Sequence, residues 1–356
     1  MAPRFPAKIL LPYPANRTEP LPYPMPADPF TPFARPPLAP RQKALTRDGA
    51  PLPGRVRYRI NEPRRRINLI LFLVTLTSVI YWGFLQYQGF YSEELYYFTF
   101  NPLKAVDALL GGLPFAFAVI AFLLAHEMGH YLACRYYGIA ATLPYFIPMP
   151  PIIAPLLPGT MGAVIRIVSP ITSRRALFDI AVAGPLAGYL VALPILAVGL
   201  SQSRVISQVE LQTGGPYLEM GEPLIWGLMA QLFGPATGAE QDLIVHPLAY
   251  VGWFALLVTA MNLLPVGQLD GGHLLYSLVP RWHRTISFTV LAAMMVAGFL
   301  YFPGWVLFSA VVFFVLGTRH PRPLNFDQEL GRGRVLLTII AALILVSSFI
   351  LVPVRL

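Results

Sequence analysis

The stretch Ala121-Phe-Leu-Leu-Ala-His126-Glu127-Met128-Gly129-His130-Tyr131-Leu132-Ala133-Cys134 limits this chain more than any other. It places two histidines and a carboxylate within an apolar run, and a run of about 20 such residues can cross a bilayer. Ionisable groups at membrane depth are costly and mark a site by default. On a helix, His126 and His130 lie four residues apart and share one face. Imidazoles so placed can bind one metal ion, with Glu127 beside the water that the ion holds. That is the mechanical content of a His-Glu-x-x-His segment. A chance match in a core helix is the bland alternative, and the lipid setting makes an idle trio of this kind too costly to favour.

Composition agrees with the bilayer. Of 356 residues, 56% are hydrophobic and 12% charged, the latter about half the share of a soluble domain. The expected fold is an all-α polytopic membrane protein of about seven transmembrane helices. Spans are expected near 67–88, 113–137, 177–200, 247–266, 285–302, 304–317 and 335–352. Cys134 is the only cysteine, so neither a disulfide framework nor a cysteine-based zinc site is expected. Residues 1–66 hold 16 of the 37 prolines and read as a disordered Pro/Arg-rich tail. Residues 67–356 then form the membrane domain, with a catalytic core at about 113–280. The start of the tail lacks an apolar core followed by a small-residue cleavage site, so no signal peptide is expected. Most of the net charge of +9 sits in the first 66 residues. It reads as topology and contact with anionic lipid, and no nucleic-acid partner is expected.

Loop charges alternate. The tail, the 138–176 segment and the loops after the fourth and sixth spans are basic, whereas 89–112 and 201–246 carry the acids. The positive-inside rule puts the N-terminus and the basic loops in the cytoplasm and the C-terminus outside. The expected setting is a bacterial cytoplasmic membrane. His126 and His130 then fall in the cytoplasmic half of their span. A polar cleft open to the cytoplasm is expected there, with Cys134 near its inner mouth.

A catalytic zinc keeps three protein ligands and an open position, so two histidines are not enough. Asp270 is the carboxylate on offer, at the end of Met261-Asn262-Leu263-Leu264-Pro265-Val266-Gly267-Gln268-Leu269-Asp270-Gly271-Gly272-His273. Pro265 and Gly267 break the helix before it, and broken backbone at membrane depth is tolerated where it lines a site. The competing role is a cap on the helix that begins near Gly272. His273 reads as a solvated surface residue. The proline-rich 143–151 cannot be a regular helix, and the β-branched run Ala163–Val168 suggests a short hairpin or re-entrant strand pair. An exposed edge there, around Gly159, Gly162, Val164 and Ile165, could take up an unwound substrate by strand addition; a plain scaffold loop is the equal alternative. Gly184 and Gly188 form a small-x-x-x-small face for packing on the catalytic helix.

The paired segments resemble the site-2 protease family of intramembrane zinc metalloproteases, in the bacterial and plastid branch that lacks a PDZ domain. The likeness rests on His126-Glu127-Met128-Gly129-His130, on Asn262-Leu263-Leu264-Pro265 through Leu269-Asp270-Gly271, and on Gly159–Arg166 and Phe178–Gly188 between them. It covers roughly residues 67–280. The resemblance implies that His126, His130 and Asp270 hold one zinc ion, that Glu127 is the general base, and that Asn262 hydrogen-bonds the oxyanion or the substrate backbone. It implies cleavage in or near the membrane segments of single-span proteins, in regulated intramembrane proteolysis, with membrane lipid as the other partner. The 201–246 loop has about half the residues that a PDZ domain would need, so substrate selection would rest on the membrane part or the tail. A zinc- or proton-coupled transporter would call for internal repeats, and none is found. A scaffold that binds without cutting would have no need of an intact Glu127.

Overall fold

Segments that must satisfy their backbone hydrogen bonds away from water become helices, and helices dominate here. The computed structural model describes residues 65–91, 102–150, 157–207, 218–238, 240–327 and 329–355. The tail expected over 1–66 lies outside the described residues up to residue 64. The helices are α1 (Arg65–Tyr91), α2 (Pro102–Tyr136), α3 (Arg174–Ser201), α4 (Leu224–Phe233), α5 (Pro247–Leu263), α6 (Asp270–Leu278), α7 (His283–Leu300), α8 (Gly304–Val311, running into a π turn over Val312–Leu316) and α9 (Arg332–Ser348). A helix lies at each of the seven expected positions. Four stretches are long and apolar enough to cross a membrane: Arg66–Tyr91, Leu109–Tyr136, Arg174–Ser201 and His283–Leu300. Length and apolarity therefore support four crossing helices where seven spans are expected. The 17 residues of α5 rise only about 25 Å, and α4 falls in a loop for which no helix is expected.

α3 lies in the middle, packed along α2 on one side and α5 on the other, and α1 covers α2. α5 is apolar all round because it is buried all round, from Ala249 and Val251 through Trp253, Leu256 and Ala260. Its first turn is prepared in sequence: Pro247 fits the first helical position, and His246 caps it by accepting the Leu248 N–H at 3.2 Å. α3 starts in the same way, with Ser173 Oγ accepting the Ala176 N–H at 3.1 Å.

The strands are short. β1 (Tyr145–Pro148) and β2 (Thr160–Val164) pair antiparallel from Tyr145↔Val164 to Pro148↔Thr160, with an irregularity at Ile147/Pro148. Residues 151–156, which join them, lie outside the described residues. β3 (Arg204–Ser207) pairs with β5 (Gln241–Ile244), and β4 (Glu219–Met220) with β6 (Val354–Arg355), each antiparallel.

The two ends of the bundle differ. At the basic end, Arg174 Nε and Nη2 donate to the carbonyls of Ser277 (2.5 Å) and Leu278 (3.1 Å), and Arg175 Nε to that of Glu329 (2.7 Å). Arg334 of α9 grips Asp179 of α3 through Nε (2.8 Å) and Nη2 (2.5 Å), and Tyr137, just past α2, donates its hydroxyl to the same carboxylate. At the other end, Arg204 lies over the rings of Phe90 (4.7 Å) and Tyr91 (5.0 Å), on a loop that also carries Glu219, Glu222 and Asp242. Cys134, expected near a cleft mouth, is 0% exposed and packed with Ile139, Ala176 and Ile180. The turn after α2 folds back over it, which a linear count along the helix does not register.

The Arg334–Asp179 pair joins α9 to α3 with both side chains about a quarter exposed. Arg334→Met should destabilise the detergent-solubilised protein by about 2 kcal/mol, the order for charge-assisted hydrogen bonds lost in a half-buried site. Adding Asp179→Leu should cost little more, since the two share one interaction. Thermal unfolding followed by intrinsic fluorescence would check both, and fully additive losses would show that the pair is uncoupled.

Candidate metal centre

The centre begins with an approach of two backbones. A Cβ at Gly129 of α2 would come within 2.8 Å of the Ala183 carbonyl carbon and 3.0 Å of Gly184 Cα on α3. At Gly184 a Cβ would overlap the His130 ring, and at Gly188 it would lie 3.2 Å from His126 Nδ1. The small-residue face of α3 thus does more than permit packing: it leaves room for both imidazoles between the helices. One turn before Gly184, the Ile180 carbonyl accepts from His130 Nδ1 at 2.7 Å. That bond puts the ring proton on Nδ1 and leaves Nε2 as a lone pair.

The lone pair has company. His130 Nε2 lies 3.2 Å from His126 Nε2 and 3.3 Å from Asp270 Oδ2, and His126 Nε2 lies 3.4 Å from the same oxygen. All three residues are buried or nearly so. Among the described residues they are the one group of three whose ligand atoms could hold a metal ion. Two imidazole nitrogens and a carboxylate oxygen converging on one point put negative and lone-pair density together, and a cation there relieves it. The donor set, two imidazoles and a carboxylate, fits zinc chemistry.

Asp270 arrives by a break in the chain. α5 stops at Leu263, before Pro265; Gly267 takes a left-handed φ of +53°, and α6 starts at Asp270 itself. A Cβ on Gly271 would run into the Leu263 carbonyl, so only glycine lets α6 fold back so tightly. α7 braces the break: Ser287 Oγ accepts the Gly267 N–H at 3.2 Å, and His283 Nε2 meets the Gly267 carbonyl at 3.1 Å. The capping role weighed for Asp270 does not fit, because Leu269 occupies the cap position and the carboxylate faces the histidines.

The remaining expected residues divide. Glu127, 7% exposed, has the Ile165 backbone amide against its carboxylate, so the end of β2 meets the would-be base. Asn262 Nδ2 lies 3.4 Å from His126 Nε2. Gly162 is buried and Val164 half exposed on β2. Gly159, at φ +80°, is pressed on α1, where a Cβ would sit 2.7 Å from the Ser78 carbonyl oxygen. His273, expected to be solvated, is instead drawn in: its Nδ1 lies 2.5 Å from His320 Nε2, and the His320 ring stacks on Tyr276 at 4.1 Å. The loop between α8 and α9 brings His320 there. Sequence reasoning missed this pair and the Ile180 carbonyl; a backbone group leaves no mark in a sequence, and the two histidines are 47 positions apart.

Gly184→Ala tests this construction. Its methyl would displace the His130 ring, and bound divalent metal measured by plasma mass spectrometry after dialysis should fall at least about tenfold in affinity, as for loss of a ligand's orienting partner. Ala187→Gly, on the same helix, should leave it unchanged.

A sequence model described as Peptidase family M50 matches residues 114–303, more than half of the chain and the whole span from the catalytic helix to the end of α7. The chain is 33% identical over 234 residues to the "Probable zinc metalloprotease EGY1, chloroplastic" of Arabidopsis thaliana, covering 62% of this chain and 42% of that protein. It is 32% identical over 238 residues to the protein of the same description from Oryza sativa subsp. japonica, covering 62% and 40%. With the "Probable zinc metalloprotease EGY2, chloroplastic" of Oryza sativa subsp. indica it shares 34% over 192 residues, covering 53% and 32%. The chain therefore spans about two fifths or less of the length of these relatives. Motif, geometry and match coincide on the same residues, and the chain belongs to Peptidase family M50, the site-2 protease family.

Proposed function

We propose that this chain is a zinc-dependent endopeptidase that hydrolyses peptide bonds in or next to the membrane segments of single-span proteins. The observation that carries the reading is the convergence of His126 Nε2, His130 Nε2 and Asp270 Oδ2 within 3.4 Å of one another, with Glu127 on the same helix turn. Membership in a peptidase family supports it, as does the zinc in the names of the relatives. Zinc held by these three residues would polarise the scissile carbonyl and acidify water. The rest falls to the chain. Glu127 takes a proton from the attacking water and returns it to the leaving amine nitrogen as the C–N bond breaks. Asn262 donates from Nδ2 to the oxygen that gains charge. His130 stays fixed by Ile180, so its Nε2 does not wander. A substrate helix hides its carbonyls in its own hydrogen bonds, so it must unwind, and the β2 edge at Gly162, Val164 and Ile165 is where we seat the unwound strand, next to Glu127.

The chain is a membrane protein on the strength of its crossing helices. Seven spans, with α5, α8 and α9 completing the four long helices, are our reading of topology. It puts the basic end, with Arg174, Arg175, Arg319 and Arg334, in the cytoplasm. The relatives named above are chloroplastic proteins of plants, so they lend nothing to the expected bacterial membrane. No repeat supports a transporter, and an intact Glu127 supports hydrolysis over scaffolding.

Glu127→Gln should lower cleavage of a single-span substrate by about 10²–10⁴-fold while bound zinc stays stoichiometric, because the amide keeps the shape but takes no proton. Asp270→Ala should lose metal and cleavage together. Full turnover by Asp270→Ala with zinc retained would remove it from the ligand set. Ile165→Pro, which deletes the amide against Glu127, should cut activity with the fold intact; unaltered cleavage would return β2 to a scaffold role.

A further inference from the structure

Far from the metal centre, the end of the bundle where α5 begins holds a cavity of about 1540 Å³ between α1, α4, α5 and strands β4, β5 and β6. Tyr250 on its floor precedes Asn262 by twelve residues on α5, about 18 Å along the axis. Sites for single small molecules run to about 300–1,000 Å³, so the space is large for one. Two observations bear on what fills it. All four residues of β5, Gln241–Ile244, line it; β5 pairs with β3 along one edge, and no strand pairs with its other edge among the described residues. The charged lining residues are Glu219, Glu222, Asp242 and Arg355, and the Arg355–Glu219 pair at 2.8 Å leaves a net charge of −2 on Glu222 and Asp242. A strand edge asks for an extended backbone, and the acids for a cation.

A smaller cavity, of about 210 Å³, shares Leu218, Met220, Tyr250 and Trp253 with the first and continues along α5 past Leu257 to Met261, the neighbour of Asn262.

We propose that this cavity docks an extended, basic polypeptide segment: the stretch of a substrate that flanks its membrane span on the side away from the metal centre. The inference rests on the endopeptidase reading above. The segment adds to the free edge of β5, and Glu222 and Asp242 face its lysine or arginine. The cavity would select substrates by a flank rather than by the bond to be cut.

Binding of two fluorescein-labelled Gly/Ser dodecapeptides to the full chain in detergent tests this, one with two lysines and a tyrosine and one with glutamates for the lysines. The lysine peptide should bind the tighter by about tenfold, and Glu222→Lys with Asp242→Lys, both at exposed positions, should abolish or reverse that preference, the order for two partly exposed charge pairs. Equal binding of the two peptides, or a preference untouched by the charge reversal, would overturn the proposal. The readout needs no catalysis. Charge-dependent binding by a protein that cleaves no single-span substrate would sink the endopeptidase reading alone, and cleavage without charge-dependent binding would sink the docking site alone.

Discussion

The structure depends on how closely α2 and α3 approach. Lipid offers helices no hydrophobic reason to associate, so they hold together by packing and by shared polar groups. Gly129 against Ala183 and Gly184 brings the two backbones together, and at that separation His130 reaches the Ile180 carbonyl. A wider gap would cost packing, and it would also release the imidazole, whose orientation decides which nitrogen faces Asp270. Packing and chemistry are set by the same few side-chain-free positions.

The second requirement is a break. A continuous α5 would carry its side chains past the centre on a fixed spiral and could not turn a carboxylate back toward α2. Stopping at Leu263 and restarting at Asp270 frees backbone groups that need partners at depth. They find them within the protein, in Ser287 and His283 of α7 and in the turn itself. A carboxylate in the first turn of α6 also sits where the helix dipole favours negative charge.

What could be read from the sequence follows from this division. His126, Glu127 and His130 were legible because helical spacing alone puts them together, and Asp270 because a lone acid after Pro265 and Gly267 has few other uses. Gly184 and Gly188 announced a close approach, though not that the histidine rings fill it. Helix positions were legible from apolar runs; how many of them cross was not, since α5 is short and α8 ends in a π turn. Cys134 was misplaced because the chain after Tyr136 doubles back. α4 and the strands of the 201–246 loop depend on long-range pairing, with β4 completed only by the C-terminal Val354–Arg355. The nearness of His273 to His320 depends likewise on a loop that local pattern does not describe.

The two ends of the bundle are held by different means, side-chain clamps at one and paired strands at the other. Around the metal centre, Arg174 is stitched to α6, Arg174 and Arg175 to Asn325 and Glu329 of the loop beyond α8, and Arg334 to Asp179. At the opposite end the helices part around open space. A guest in that space lies about 18 Å along α5 from Asn262, so filling it leaves untouched the hydrogen bonds that keep the three ligand atoms together.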